Sequence, residues 1–279
     1  MDRAQKSAVI YLYLLPALVA AVGFGIGHVS YHVYLPLWFL NTCLMIFAIR
    51  QLFKRGANAG ETPSGGWRNA GLLLIFPWIL FAVFAGMGPP PPAMSAWLAT
   101  AAEQEVRYSL LILGGILALM GFSLMKIKLA DQAECNYAVL GLMAFSIALP
   151  LFILNMAYWG YFLTSAFRLF ITLPAGKRPD WYLPVRQFFY VVSVVEVALT
   201  NLATLLFVLS LKKAKLMSPR SSSWFLAVGI MCIVLVILPP SVPEPFATAG
   251  YLAAVPAIPF MMPYLIGLRL LRLRYRHHH

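Results

Sequence analysis

Eight apolar runs, each near the length a helix needs to cross a bilayer, follow one another along the chain with short polar breaks between them. About 20 residues, rising about 1.5 Å each, cover the roughly 30 Å of hydrocarbon. Lipid offers no water to backbone N–H and C=O groups, so a crossing segment must satisfy them internally or join a closed barrel. Continuous apolar runs of this length read as helices. The expected fold is all-α: a polytopic integral membrane protein of about eight transmembrane helices. They are placed at 8–28, 33–53, 70–87, 108–125, 137–157, 188–211, 224–238 and 249–271, in a single transmembrane domain over 1–276.

Composition excludes the soluble alternative. The chain is 61% hydrophobic and 11% charged, whereas soluble domains carry about 25% charged residues. A net charge of +12 raises the question of nucleic acid. The basic residues instead flank apolar runs, and no nucleic-acid motif is present, so the expected partner is the lipid bilayer and not nucleic acid. Cys43, Cys135 and Cys232 are scattered without ligand spacing, which argues against a disulfide scaffold or a zinc ribbon. His277, His278 and His279 read as a purification-tag remnant, which leaves His28 and His32. The first apolar run, with Pro16 and three glycines inside it, reads as a retained span and not a cleaved leader.

Lys and Arg stay on the cytoplasmic side of a membrane. Arg3 and Lys6, then Arg50, Lys54, Arg55 and Arg68, then Lys126 and Lys128, then Lys212, Lys213, Lys215 and Arg220, and finally Arg269, Arg272, Arg274 and Arg276 form five clusters. All five share one side if there are eight spans and both termini are cytoplasmic. Residues 88–106 and 239–248, on the other side, hold no Lys or Arg. This pattern suits a bacterial inner membrane.

One stretch is too long for a single span. Residues 136–173 are almost unbroken apolar sequence, and Arg168, Lys177, Arg178 and Arg186 lie near its end. Dividing it near Asn155 would strand later basic clusters outside. Eight spans conflict with fewer charges and leave 158–173 as an interfacial helix or an extension of the fifth. Tyr158, Trp159, Tyr161, Trp181 and Tyr182 would form an aromatic belt there. Arg168, Lys177 and Arg178 would offer a basic rim to anionic lipid. Residues 57–66 form a Gly/Ser/Pro-rich linker, and the turns at 88–92 and 239–245 are stiffened by proline.

Glu196 lies about nine residues, or about 14 Å, into its span, and a carboxylate at such depth is costly unless paired, protonated or wetted. Thr200 and Asn201 follow on nearly the same face, and Asn41, Thr42 and Cys43 make a polar patch at comparable depth in the second span. Pro256, Pro259 and Pro263 fall within the last span and must kink or break it, freeing carbonyls that lipid cannot satisfy. Pro16, Pro36, Pro77 and Pro150 add single kinks. Broken helices near the midplane mark transporter sites. His28 and His32, four apart, would share one helix face if the helix runs through them. They are weak candidates for metal, lacking a third ligand in register.

The expected function is a transporter or channel for a small solute or ion. Its midplane site would use Glu196, Thr200, Asn201, Asn41 and the backbone around Pro256 and Pro259. The competing readings are two. One is an intramembrane enzyme acting on a lipid or lipid-linked substrate at the outer face through His28, His32 and Arg168. The other is a membrane subunit of an electron-transfer or sensory complex. No phosphate loop, nucleophile elbow or multi-span histidine set is present, and the sequence names no cofactor.

Overall fold

The structure is a computed structural model that describes residues 3–57, 65–131, 136–174, 177–239 and 241–273. Cys135, Arg274, Arg276, most of the 57–66 linker, Pro240 and the terminal histidines lie outside the described residues. Among those described there are helices and no strand. In chain order they are α1 Arg3–Ile26, α2 Tyr31–Ala57, α3 Gly65–Phe81, α4 Phe84–Met87, α5 Met94–Ala99, α6 Ala101–Ala130 and α7 Asn136–Ala157. A π-helical turn Tyr158–Phe162 leads into α8 Leu163–Phe170, followed by α9 Tyr182–Lys213, α10 Pro219–Ile237, α11 Phe246–Ala253 and α12 Met261–Leu271.

Seven stretches are long and apolar enough to cross a membrane, and an eighth is broken between α11 and α12. Each expected span falls on one of these, with ends moved by up to several residues and the first and seventh running slightly past theirs. The fifth is the exception. Asn136–Phe170 is one helical run of 35 residues, so 158–173 continues the helix up to Phe170 and does not lie apart from it. The last span breaks where its prolines predict. Residues 254–257 leave the helix around Pro256, and Pro259 sits in a 3₁₀ turn, Ile258–Phe260. Pro263 is tolerated in the first turn of α12, where backbone N–H groups have no intrahelical acceptor. Pro16, Pro36, Pro77 and Pro150 are accommodated inside α1, α2, α3 and α7.

The described residues gather into two compact units. One comprises α1 to α4, α6 from Leu117 onward, and α12. Its buried centre holds Leu12, Met45, Leu74, Trp78, Phe81, Phe122 and Tyr264. Lipid is as apolar as a leucine side chain, so such helices associate through close packing and polar contacts more than by escaping water. Gly71 and Gly267 show this at the crossing of α3 and α12. A Cβ on Gly267 would lie 2.7 Å from the Gly71 carbonyl oxygen, and one on Gly71 would lie 3.0 Å from that of Gly267. Polar anchors add specificity: the Trp78 indole donates to the Phe260 carbonyl at 3.0 Å and the Tyr264 hydroxyl to the Leu12 carbonyl at 2.7 Å. Gly27, at φ +78°, ends the first hairpin's incoming helix, and Gly88, at φ +61°, lies against it. A Cβ at Gly88 would meet the Gly27 carbonyl carbon at 2.5 Å.

The second unit comprises α5, α6 up to Ile116, and α7 to α11. Its dominant contact is α7 against α9, which run antiparallel. Gly141 packs on the Ala203 carbonyl at one end, and Tyr158 stacks on Phe189 at 4.0 Å at the other. Val197, Val236 and Ala253 form an apolar contact among α9, α10 and α11. α9 ends in a Schellman arrangement. The amides of Lys215 and Leu216 return to the carbonyls of Lys212 and Leu211, and Lys215 takes the left-handed φ of +57° usually filled by glycine. Leu140, Met143, Ile147 and Leu154 form an exposed apolar stripe on α7, the surface a membrane helix turns to lipid.

Candidate functional site

Glu196 is the fifteenth residue of α9, about 21 Å from its start and about 26 Å from its end at about 1.5 Å per residue. Its side chain faces α7 and is 1% exposed. The Asn155 amide nitrogen donates to Glu196 Oε1 at 3.0 Å. Glu196 Oε2 and Asn155 Oδ1 are both buried and have no hydrogen-bond partner. No basic side chain is paired with this carboxylate among the described residues. Unpaired ionised carboxylates are expensive in such surroundings, so the site favours a neutral acid or a bound cationic species.

Asn155 reaches this position through the helix extension. The sequence placed it near the outer end of the fifth span. Because the helical run continues through the π turn to Phe170, Asn155 lies well inside it. π turns hold one extra residue and often occur at functional sites. Here the turn brings Tyr158 onto Phe189, and Gly160 sits so close to Tyr108 that a Cβ would meet the ring's own Cβ at 2.7 Å. The aromatic belt is therefore only partly a belt. Tyr161 and Trp181 are exposed, whereas Tyr158 and Tyr182 are buried packing residues.

Around Glu196 the polar residues differ in availability. Thr200 and Asn201 are buried with it. The Asn201 amide nitrogen donates to the carbonyl of Val197 on its own helix at 2.9 Å, so this nitrogen is engaged before any substrate arrives. The Thr200 carbonyl accepts from the Thr204 hydroxyl at 2.9 Å. The backbone near Pro256 and Pro259 is also partly satisfied. The Leu252 carbonyl accepts from the Val255 amide at 3.1 Å, and the Val255 carbonyl from the Ile258 amide at 2.8 Å.

Asn41 belongs to the other unit and is described there. The Tyr11 hydroxyl donates to Asn41 Oδ1 at 2.7 Å, while Asn41 Nδ2 and Thr42 Oγ1 are buried without partners. Cys43, beside them, is exposed.

His28 and His32 do not share a helix face. α1 ends at Ile26, His28 lies in the connection, and His32 is in the first turn of α2. The left-handed Gly27 stops the helix that the four-residue spacing assumed. Both side chains are exposed, and His32 lies against Tyr31 with ring centroids 3.9 Å apart. Among the described residues no group of three or more His, Cys, Asp or Glu side chains is placed to hold a metal ion.

Arg168 lies on α8, 3.8 Å from Glu105. The Arg178 guanidinium covers the Tyr182 ring at 5.2 Å, and Lys177 is exposed. Sequence reasoning passed over Gln104 and Arg107, which are both buried at the start of α6. Gln104 donates to the Thr100 hydroxyl at 3.1 Å, and its Oε1 has no partner. Their three-residue spacing just before an apolar run was the available signal. No family model, curated protein or solved structure matches the chain.

Proposed function

We propose that this protein is a membrane carrier or channel for a small solute or ion, working from Glu196. The supporting observation is a carboxylate at mid-helix, 1% exposed, held by one hydrogen bond from the Asn155 amide and with its second oxygen unpartnered. A purely architectural carboxyl would be expected to have both oxygens satisfied by neighbouring helices. A group that binds and releases an ion needs a vacancy of this kind. Asn155 positions the carboxyl, Thr200 extends the polar face along α9, and the interrupted backbone at Pro256 and Pro259 supplies a non-helical segment of the sort transporters use at depth.

In this reading the protein resides in a bacterial inner membrane with the ends of its first and last spans cytoplasmic. The five basic clusters support that orientation. Arg168, Lys177 and Arg178 then face the opposite surface and hold anionic lipid headgroups.

The test is uptake by the full chain reconstituted into liposomes, driven by an imposed ion gradient and screened with radiolabelled small solutes and cations. Glu196→Gln keeps the side chain's size and removes its ability to gain and lose a proton. It is expected to abolish coupled uptake while folded protein remains abundant. Wild-type transport by this variant overturns the assignment.

A further inference from the structure

Glu196 and Asn155 meet through one hydrogen bond where a carboxyl and a carboxamide have the atoms for two. An ionised carboxylate only accepts, and an amide offers donors on nitrogen and an acceptor on oxygen. The bond present runs from Asn155 Nδ2 to Glu196 Oε1 at 3.0 Å. The two atoms it leaves unsatisfied, Glu196 Oε2 and Asn155 Oδ1, are the two that a second bond would join. Both are acceptors, so only an added proton can connect them directly.

We propose that Glu196 and Asn155 form a proton-holding site. A proton on Oε2 donates to Asn155 Oδ1 while the amide donates to Oε1, closing a two-bond acid–amide pair. Loading adds one proton to the carboxylate and breaks no covalent bond. Release returns that proton to water or substrate and leaves the hydrogen bond from the Asn155 amide nitrogen. The inference rests on the carrier reading for its purpose, though not for its chemistry. It makes a proton, not a metal cation, the ion taken at this site.

The surroundings support that choice. Hard metal cations want about six oxygen ligands or more, whereas two orphaned oxygens satisfy one proton. Few titratable groups lie on the elements packed against α9. α7 carries Tyr137, the π turn Tyr158 and Tyr161, α8 Arg168, α10 Arg220 and Cys232, and α11 Tyr251. α9 itself carries Tyr182, Arg186, Tyr190, Lys212 and Lys213 at or toward its ends. Tyr137 is the partner of Lys213, whose ammonium lies 4.5 Å from its ring centroid. None of these elements brings another carboxylate or a histidine, so protonation of Glu196 itself is the direct route to neutrality.

The experiment is infrared spectroscopy of the purified full chain at neutral pH. The wild type is expected to show the C=O stretch of a protonated carboxyl that disappears in Glu196→Gln. In Asn155→Leu the band is expected to move to higher frequency, because the hydrogen bonds to it are gone. If Glu196→Gln instead removes only a carboxylate band, Glu196 is ionised and the proposal is overturned. The wild-type and Glu196→Gln spectra decide this even if Asn155→Leu fails to fold. Liposomes carrying a pH-sensitive dye separate the two readings. A carboxyl band without any proton or solute movement supports the site and removes the carrier. Solute uptake with sodium dependence and no carboxyl band keeps the carrier and removes the proton site.

Discussion

The fifth helix does not stop at the aromatic cluster that begins at Tyr158, so Asn155 lies mid-helix and not near an end. Mid-helix, the amide becomes the single donor to a carboxyl that is 1% exposed. Removing one partner of a buried polar pair strands the other and costs about 1–3 kcal/mol, more where charge is involved. Asn155→Leu is therefore expected to lower stability by about that amount, read as a fall in the unfolding midpoint in detergent. Glu196→Gln retains size and a hydrogen-bonding amide, so its effect on the same midpoint is expected to be small. In a Glu196→Leu background the Asn155→Leu penalty is expected to shrink, since no polar partner remains to be stranded. Equal, additive losses from both single changes would show that the bond carries no coupling. Glu196 was legible in the sequence because any carboxylate in a long apolar run stands out. Its partner was not, because an asparagine's depth depends on where the helix ends, and a π turn is invisible in composition.

Helices were legible for a related physical reason: lipid leaves the backbone little choice, so length and apolarity suffice to place a span. Prolines read well too, and Pro256 and Pro259 break the last span as their missing donors require. The histidine pair failed because Gly27, one residue before His28, turns left-handed and ends the helix. Contacts between helices were hardest to foresee. A helix in lipid is apolar on its packed and its lipid-facing sides alike, so polarity does not mark the interface and small residues do. Gly71 and Gly267 are such a pair, and Gly267→Ala forces a methyl carbon to 2.7 Å from a backbone oxygen. Neither backbone can yield without separating α3 from α12. A stability loss of about 1–3 kcal/mol is expected, as for overpacking generally. Gly25→Ala is the control, since its Cβ would meet nothing within 4 Å and α1 would gain a better helix former. Equal effects from the two changes would remove the close-crossing account.

Sidedness is where charge pattern and helix length meet. Asn136–Phe170 is 35 residues, or about 52 Å at about 1.5 Å per residue, against a hydrocarbon thickness of about 30 Å. A helix that long is expected to cross once and project beyond the hydrocarbon, carrying the segment around Lys177 to one surface. α9, at 32 residues, is expected to return the chain to the other, with Lys212, Lys213 and Lys215. Lys177 and Lys215 are thus expected on opposite faces of the membrane whatever the absolute orientation. In a background with Cys43, Cys135 and Cys232 replaced by serine, Lys177→Cys should react with a membrane-impermeant maleimide in intact cells. Lys215→Cys should react only after the cells are opened. The reverse pattern would invert the proposed orientation while leaving α9 a single crossing. Labelling of both from the same side would mean that α9, the helix between them, does not cross. Glu196 would then lose the midplane depth on which its role depends.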